Sequence, residues 1–146
     1  FSKKISFDLP IIVKNNFQKK ESGKKNILKT YWSYIHPTSC ITVRKEIVDE
    51  LFASISFDNF TDVWMDLRIN IFAQYILKGI DIINENLTYY RKTNTNISSK
   101  FKKFSKSWWI RRRQAHEYFY KFSMENKLSF KKNFDFVITK LICKIL

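Results

Sequence analysis

The chain has 146 residues, of which 45% are hydrophobic and 17% aromatic, and it carries a formal net charge of +14. This length suffices for one domain with a packed core, and the composition excludes a disordered chain. No apolar run approaches the ~20 residues that a membrane-spanning helix requires, and the first residues lack the apolar core of a secretory leader.

The positive charge is concentrated at the two ends of the chain. Residues 1–30 hold eight lysines against two acids, residues 31–99 hold six basic and eight acidic residues, and residues 100–146 hold thirteen basic and three acidic residues. A nucleic-acid-binding surface would more naturally be basic throughout.

The two cysteines, Cys40 and Cys143, match no metal-ligand spacing, and such a small number favours a reducing compartment. We therefore expect no metal site of the zinc type.

The first third of the chain predicts extended structure and loops before a first helix. In chain order we expect an edge strand or extended segment over 5–13, an exposed lysine-rich loop over 14–30, a short strand or turn over 31–35, a strand over 38–43 and a short helix over 44–52. The strand over 38–43 is predicted from its small and β-branched residues.

The middle of the chain predicts one longer helix followed by two short strands. Apolar residues at helical spacing place this helix at about 61–77, with Asp58, Asn59 or Thr61 as its cap and Gly79 as its C-terminal signal. The runs over 80–83 and 86–90 predict the two strands. The expected fold is therefore mixed α/β, and mainly helical because of the segments that follow.

Two more helices are predicted after a polar loop over 94–100. Ser105 or Ser107 is the expected cap of a long helix with Trp108, Ala115, Tyr118, Phe119 and Phe122 on one face. The last helix, over about 130–146, carries one apolar stripe. Its members are Phe130, Phe134, Val137, Ile138, Leu141, Ile142 and Ile145.

Two carboxylates stand out as candidates for chemistry. Asp62 and Asp66 are four positions apart, so within one helix they would share a face, with Asp62 in the first turn. One carboxylate is the minimum that a reaction needs to take a proton from an attacking hydroxyl. The alternative is structural: Asp62 caps the helix and Asp66 pairs with a surface base.

Residues 61–68 resemble a segment of family 2 glycosyltransferases, in which a Glu-Asp pair begins a helix and an Arg follows. The resemblance assigns the role of catalytic base to Asp62, with Thr61 in the place of the Glu and Arg68 as the Arg. Asp66 is the second candidate, because Trp64–Arg68 is similar to a Trp-Leu-Asp-Phe-Arg variant in some bacterial members.

Two further segments resemble the same family, in the same order along the chain. Residues 36–45, which include Ser39 and end near Arg44, are similar to a strand that lines the acceptor side of the cleft. Tyr89-Tyr90-Arg91, followed by Asn96-Ile97-Ser98, is similar to the family's Tyr-Arg segment, although Thr93 stands where the family has His. The resemblance implies that Arg44, Arg68, Arg91 and Ser39 bind donor phosphate or acceptor, and arginine suits a pyrophosphate because its donors form a planar fork.

Residues 108–117 resemble a helix that follows this domain in some members, with the pattern Trp-Trp-x-Arg-Arg-x-x-Ala-His. Aromatic side chains beside arginines suit a membrane interface, a phosphate-rich acceptor or nucleic acid. The candidate anionic-surface residues are Trp108, Trp109, Arg111, Arg112 and Arg113. The structural alternative is an aromatic stripe that faces the core, with a solvated basic back.

The resemblance covers roughly residues 30–120 and implies the C-terminal, acceptor-side half of a GT-A glycosyltransferase domain over 1–99, followed by a basic amphipathic helical extension over 100–146. It implies transfer of a sugar, with inversion, from a nucleotide-sugar donor to a hydroxyl of a lipid-linked or polysaccharide acceptor. No Asp-x-Asp motif and no Gly-rich phosphate loop occur in the chain. We therefore expect a fragment that is inactive alone, and a divalent metal, Mg or Mn, in the intact enzyme but no cofactor here.

The location expected from these features is cytoplasmic, with the protein peripheral at the inner face of the membrane through residues 100–146. Two other readings stay open at this point. One is a non-enzymatic basic module that binds nucleic acid through residues 100–132. The other is a helical interaction protein whose exposed stripe at 130–145 docks a partner helix.

Overall fold

The described part of the molecule is mainly helical, as the sequence predicts. The computed structural model of the chain describes residues 17–21, 38–55, 59–83 and 101–146. Four predicted segments lie outside these residues: the edge strand or extended segment over 5–13, the short strand or turn over 31–35, the strand over 86–90 and the loop over 94–100. The elements are strand β1 (Phe17–Glu21), 3-10 turns at Thr38–Cys40 and Lys45–Ile47, helix α1 (Val48–Ser54), helix α2 (Met65–Tyr75), strand β2 (Gly79–Ile83), helix α3 (Lys106–Glu125) and helix α4 (Phe134–Ile145).

A hydrophobic core is formed by side chains of α1, of α2 with the turn before it, and of α3. Its buried side chains are Leu51, Ile55, Val63, Leu67, Ile71, Phe72, Ala115, Tyr118, Phe119 and Phe122. Leu67 and Ile71 are one helical turn apart, so both point from α2 into the core. Burying side chains of this size stabilises the fold by roughly 1.5–3 kcal/mol each. The apolar faces predicted for the two longer helices are confirmed at these positions.

Helix α2 is shorter than the sequence predicts at both ends. It begins at Met65, because Trp64 has an extended backbone (ψ 149°), and it ends at Tyr75. The left-handed position after the helix is occupied by Lys78 (φ 63°), whose Nζ donates to the Tyr75 carbonyl at 2.7 Å. Gly79 is the first residue of β2, so its prediction as the helix terminator is wrong.

Two predictions made from local composition are also wrong. The strand over 38–43 is replaced by the 3-10 turn at Thr38–Cys40, because the Ile41 amide bonds the Thr38 carbonyl at 3.1 Å and no strand ladder forms there. The loop over 14–30 contains β1, which pairs antiparallel with β2 in the register Lys19 to Asp81. A lysine-rich sequence is compatible with a strand of this kind, because edge strands are commonly protected by lysine. The strand predicted over 80–83 is confirmed.

Helices α3 and α4 form an antiparallel hairpin. Lys106 Nζ donates to the Leu146 carbonyl at 2.6 Å, and Cys143 Sγ donates to the Trp109 carbonyl at 3.3 Å. The last helix begins at Phe134 and not at 130, because Asn133 is its N-cap and accepts from the Phe136 amide at 2.9 Å.

The N-cap of α3 decides between the two serines that the sequence left open. Ser105 Oγ accepts from the Trp108 amide at 3.2 Å, and Ser107 lies within the helix. We expect Ser105→Ala to lower the free energy of unfolding by about 1 kcal/mol. Ser107 Oγ lies 3.0 Å from Ser105 Oγ, so Ser107→Ala removes this contact but leaves the bond from the Trp108 amide to Ser105, and it should cost no more than about 0.5 kcal/mol. Urea unfolding of both variants measures the difference, and equal losses would show that the cap is unimportant.

Candidate functional site

Asp62 lies in a turn before α2 and is clamped by two side chains of α3. Gln114 Oε1 accepts from the Asp62 amide at 3.1 Å, and Gln114 Nε2 donates to Asp62 Oδ2 at 3.0 Å. Arg111 Nε donates to the Asp62 carbonyl at 2.9 Å. Arg111 and Gln114 are three positions apart and share a helix face. The turn of Asp62 is therefore positioned by α3 and not by the helix that follows it.

Arg111 sits between two aromatic rings. Its guanidinium carbon is 4.2 Å from the ring centroid of Trp64 and 4.2 Å from that of Phe101. Burial lowers its pKa, while the carboxylates of Asp66 and Asp62 oppose that shift. Arginine stays charged under such conditions because its ordinary pKa is far above neutrality. The cluster thus holds a fixed positive charge beside two carboxylates.

Asp66 lies in the first turn of α2, where the helix dipole favours a carboxylate. Its Oδ1 accepts from the Leu67 amide at 3.0 Å. Burial raises the pKa of the Asp66 carboxyl, against the lowering effects of that hydrogen bond and of Arg111. Because Asp62 precedes the helix, the prediction that the two acids share one helical face is wrong. They share instead the electrostatic influence of Arg111.

Arg68 is a core residue in this structure, with 4% of its surface exposed. It donates from Nε to the Val63 carbonyl at 3.3 Å and from Nη2 to the Phe60 carbonyl at 2.6 Å. Its guanidinium also lies 5.0 Å from the ring centroid of Tyr118, and burial raises the pKa of Tyr118 to about 12. These contacts hold the chain that leads into α2. A phosphate contact by Arg68 stays a prediction. To bind phosphate, its guanidinium would have to give up its hydrogen bonds to the Val63 and Phe60 carbonyls.

The other predicted binding residues lie apart from this cluster or outside the described ranges. Ser39 and Arg44 are exposed, and within the described residues neither side chain is hydrogen-bonded to the Asp62 turn. Ser39 Oγ lies 4.0 Å from Cys40 Sγ. Arg91 is outside the described residues. Their proposed roles in binding phosphate or acceptor stay predictions.

The aromatic and basic residues at the start of α3 have different surroundings. Trp108 and Trp109 are half-buried, with ring centroids 4.7 Å apart, and the exposed Phe104 ring lies 5.4 Å from Trp108. Arg112 makes a forked contact to Asp135 Oδ1, at 2.9 Å from Nε and 2.7 Å from Nη2. Arg113 lies at the surface, 3.7 Å from Glu117. Only Arg113 of the three arginines is thus directed mainly at the surface, while Arg111 and Arg112 bind within the molecule.

A buried cluster at the α3–α4 contact was not anticipated from the sequence. His116 is fully buried, and its Nε2 lies 2.9 Å from Asp135 Oδ2. Arg112 and His116 are four positions apart on α3 and reach the same carboxylate of α4. Burial lowers the pKa of His116 despite its hydrogen bond to Asp135, while His116 and Arg112 together lower the pKa of Asp135 against the effect of burial. At neutral pH a neutral imidazole therefore lies against an ionised carboxylate at the contact between the two helices.

This cluster predicts that the protein loses stability on acidification. The folded pKa of His116 lies below its ordinary value of 6.5, so below pH 6.5 the unfolded chain binds a proton that the folded chain refuses. We expect the free energy of unfolding to fall between pH 7 and pH 5, by at most about 1.4 kcal/mol per pH unit from this group. The Asp135 carboxylate adds a further loss only below about pH 4.

Urea unfolding at pH 7, 6 and 5 measures this dependence. The His116→Gln variant keeps a donor and removes the titration, so its stability should be lower overall and change less over the same range. A rise in stability on acidification would contradict the account, because it would mean that the folded protein holds an imidazolium against Asp135.

Comparisons with protein-family models, with curated proteins and with solved structures find no significant match to the chain. The structure brings Asp62, Asp66, Trp64, Arg111 and Gln114 into one cluster at the start of α2, covered by α3. Gln114 was missed by the sequence reasoning, although its place one turn after Arg111 is the signal by which it can be found.

Proposed function

We propose that the chain supplies the acceptor-side part of an inverting glycosyltransferase with a GT-A fold. One observation carries the proposal: two of the segments that resemble this family, residues 61–68 and 108–117, lie against each other. Arg111 and Gln114 contact Asp62 across 49 and 52 positions of sequence. Local helix formation does not require such an arrangement, since residues 65–68 belong to α2 and residues 108–117 to α3. If the two segments form one site, the presence of Asp62 in the first and of Arg111 and Gln114 in the second is explained by that site.

The proposed reaction moves a sugar from a nucleotide-sugar donor to a hydroxyl of a lipid-linked or polysaccharide acceptor. The acceptor oxygen forms a bond to the anomeric carbon, and the bond between that carbon and the diphosphate oxygen breaks. The nucleoside diphosphate leaves with the electron pair, and the configuration of the carbon inverts. A carboxylate takes the hydroxyl proton during the attack, and this is the step that the present residues serve.

Asp62 is the better candidate for this base. Its Oδ2 is held by Gln114, and among the described residues no other group hydrogen-bonds its carboxylate. One oxygen thus fixes the orientation, and the proposal assigns the other, which no described residue hydrogen-bonds, to the acceptor hydroxyl. The base and the group that orients it have the relation expected of a catalytic pair.

Asp66 has a supporting part in the proposal. Its Oδ1 is occupied by the Leu67 amide, and its half-buried carboxylate lies within the electrostatic influence of Arg111. In this position it helps to hold the guanidinium that in turn holds the Asp62 carbonyl. Asp66 is the second candidate for the catalytic base, in case the Asp62 carboxylate does not reach the acceptor hydroxyl.

The resemblance also implies a divalent metal in the intact enzyme. Among the described residues, no three His, Cys, Asp or Glu side chains are grouped so that they can hold a metal ion. The roles proposed for Asp62, Asp66 and Gln114 are accordingly those of a proton acceptor and its supports, and none of them depends on a metal bound by this part of the chain.

The test is acceptor-dependent release of nucleoside diphosphate by the full gene product that contains this chain. The purified protein is incubated with UDP-, GDP- and dTDP-sugars, with Mg²⁺ or Mn²⁺, and with or without a membrane extract that contains lipid-linked and polysaccharide acceptors. We expect release with one donor class, in the presence of acceptor. Absence of acceptor-dependent release with every donor would overturn the proposal.

A further inference from the structure

Helix α4 presents an apolar face to solvent. Its buried face is formed by Phe136 and Thr139, which pack against the rest of the molecule. The opposite face carries four exposed apolar side chains, and Ile145 is 86% exposed. These residues recur at helical spacing, and we call them the α4 stripe: Phe134, Val137, Leu141 and Ile145. Single exposed apolar residues need no explanation, but a contiguous row of this kind marks an interaction surface.

A further exposed apolar side chain lies just before α3, near the end of α4. The contact of Lys106 with the Leu146 carbonyl places the two helix ends side by side. There Phe104 is 64% exposed and has a left-handed backbone (φ 67°), which is uncommon for a bulky residue. Its ring contacts that of Trp108. An exposed aromatic ring beside half-buried tryptophans is the composition found at membrane–water interfaces.

Lysines flank this apolar surface. Lys140 and Lys144 are exposed on α4 beside Val137 and Leu141, and Lys102 and Lys103 are exposed next to Phe104. The three acids of residues 101–146 are each within ion-pair distance of a base on α3: Asp135 of Arg112, Glu117 of Arg113 and Glu125 of Lys121. The excess positive charge of this part of the chain therefore resides on its other lysines and on Arg111, which contacts the Asp62 turn.

We propose that the α4 stripe and Phe104 lie on the surface of an anionic lipid bilayer, with α4 parallel to the membrane plane. An apolar stripe bordered by lysines suits this position, because apolar side chains enter the headgroup boundary while lysines contact anionic headgroups. The 12 residues of α4 extend ~18 Å, less than the ~30 Å of a bilayer core. No helix of the described residues is long and apolar enough to cross a membrane.

Charge favours a lipid surface over the other possible occupants. A second copy of the same face would bring the same lysines to the interface, where like charges repel. A nucleic acid would satisfy the lysines but would leave the α4 stripe in water. An anionic bilayer satisfies both. This surface differs from the one predicted from Trp108, Trp109 and Arg111 to Arg113, of which Arg111 and Arg112 have hydrogen-bond partners within the molecule. It is also independent of the proposed glycosyl transfer.

Vesicle sedimentation of the full chain tests this proposal. The probe is vesicles of phosphatidylcholine with 30% phosphatidylglycerol, compared with pure phosphatidylcholine, at low and moderate salt. The double change Leu141→Gln and Ile145→Gln keeps the charge and removes apolar contact, and we expect at least about a tenfold weaker partition. Lys140→Gln with Lys144→Gln should lower partition into anionic vesicles about fivefold for each lysine.

The matched control is Met124→Gln, since Met124 is 61% exposed but lies at the other end of α3. Its partition should equal that of the unchanged protein, and circular dichroism should show all variants folded. The proposal is overturned if the protein does not sediment with anionic vesicles. It is equally overturned if the Leu141/Ile145 variant binds as well as the control, if ultracentrifugation shows that these residues serve only a dimer, or if a random oligonucleotide binds and vesicles do not.

Discussion

Replacing Asp62 by Asn in the full gene product is expected to lower kcat by about 10²–10⁴-fold, the usual contribution of a general base. The amide keeps the size of the side chain and an acceptor oxygen for Gln114 Nε2, which now bonds Oδ2 at 3.0 Å. It removes the capacity to take the acceptor proton. KM for the donor should change little, because Asp62 is proposed to act on the acceptor. Initial rates of nucleoside diphosphate release measure both constants.

Two control variants accompany this measurement. Asp66→Asn should have the smaller effect on kcat, since its carboxylate supports Arg111 and does not meet the hydroxyl in the proposed site. Asp81→Asn changes an exposed acid of β2 and should leave the rate unchanged. A larger loss in Asp66→Asn than in Asp62→Asn would exchange the two roles. An active Asp62→Asn enzyme would remove Asp62 from the chemistry.

The largest expected loss of stability follows from removing the Asp135 carboxylate. Its oxygens accept from Arg112 at 2.7 Å and lie 2.9 Å from the fully buried His116. Breaking a buried ion pair by removing one partner costs about 3–5 kcal/mol, because the other charge stays buried without compensation. Asp135 and Arg112 are largely but not completely buried, so Asp135→Ala should lie at the lower end of that range. Urea unfolding at pH 7 measures the change.

The exposed ion pair of Arg113 and Glu117 on α3 is the control for the buried Asp135 cluster. Both side chains are more than a third exposed, and they are 3.7 Å apart. Glu117→Ala should cost at most about 1 kcal/mol, as exposed pairs do. If Asp135→Ala and Glu117→Ala cost the same, the Asp135 cluster does not join α3 to α4 in the way described here.

Much of the helical structure could be predicted from sequence because it depends on local periodicity and caps. Ala115, Tyr118, Phe119 and Phe122 indicate the buried face of α3, and Ser105 is a typical N-cap. The errors occur where a distant or backbone contact overrides the local preference. Strand β1 pairs with residues some 60 positions later, and no local pattern contains that information.

The two carboxylates of the candidate site could be predicted from the sequence, but Gln114 and the arrangement of the site could not. Asp62 and Asp66 could be selected as carboxylates in a suggestive segment, yet their spacing wrongly placed them on one helix face. The turn that separates them is held by Gln114 and Arg111 of α3, so the prediction required the tertiary contact. The same holds for Arg112. Its charge predicted a surface position, but its guanidinium contacts Asp135 of α4.

The central claim is that α3 orients a base supplied by the turn before α2, and a double-mutant cycle on kcat tests it most directly. Gln114→Ala should lower kcat about tenfold in the unchanged enzyme, because an oriented carboxylate becomes mobile. In the Asp62→Asn background the same change should have little effect, since the group to be oriented no longer acts as a base. Equal effects of Gln114→Ala in both backgrounds would contradict the account.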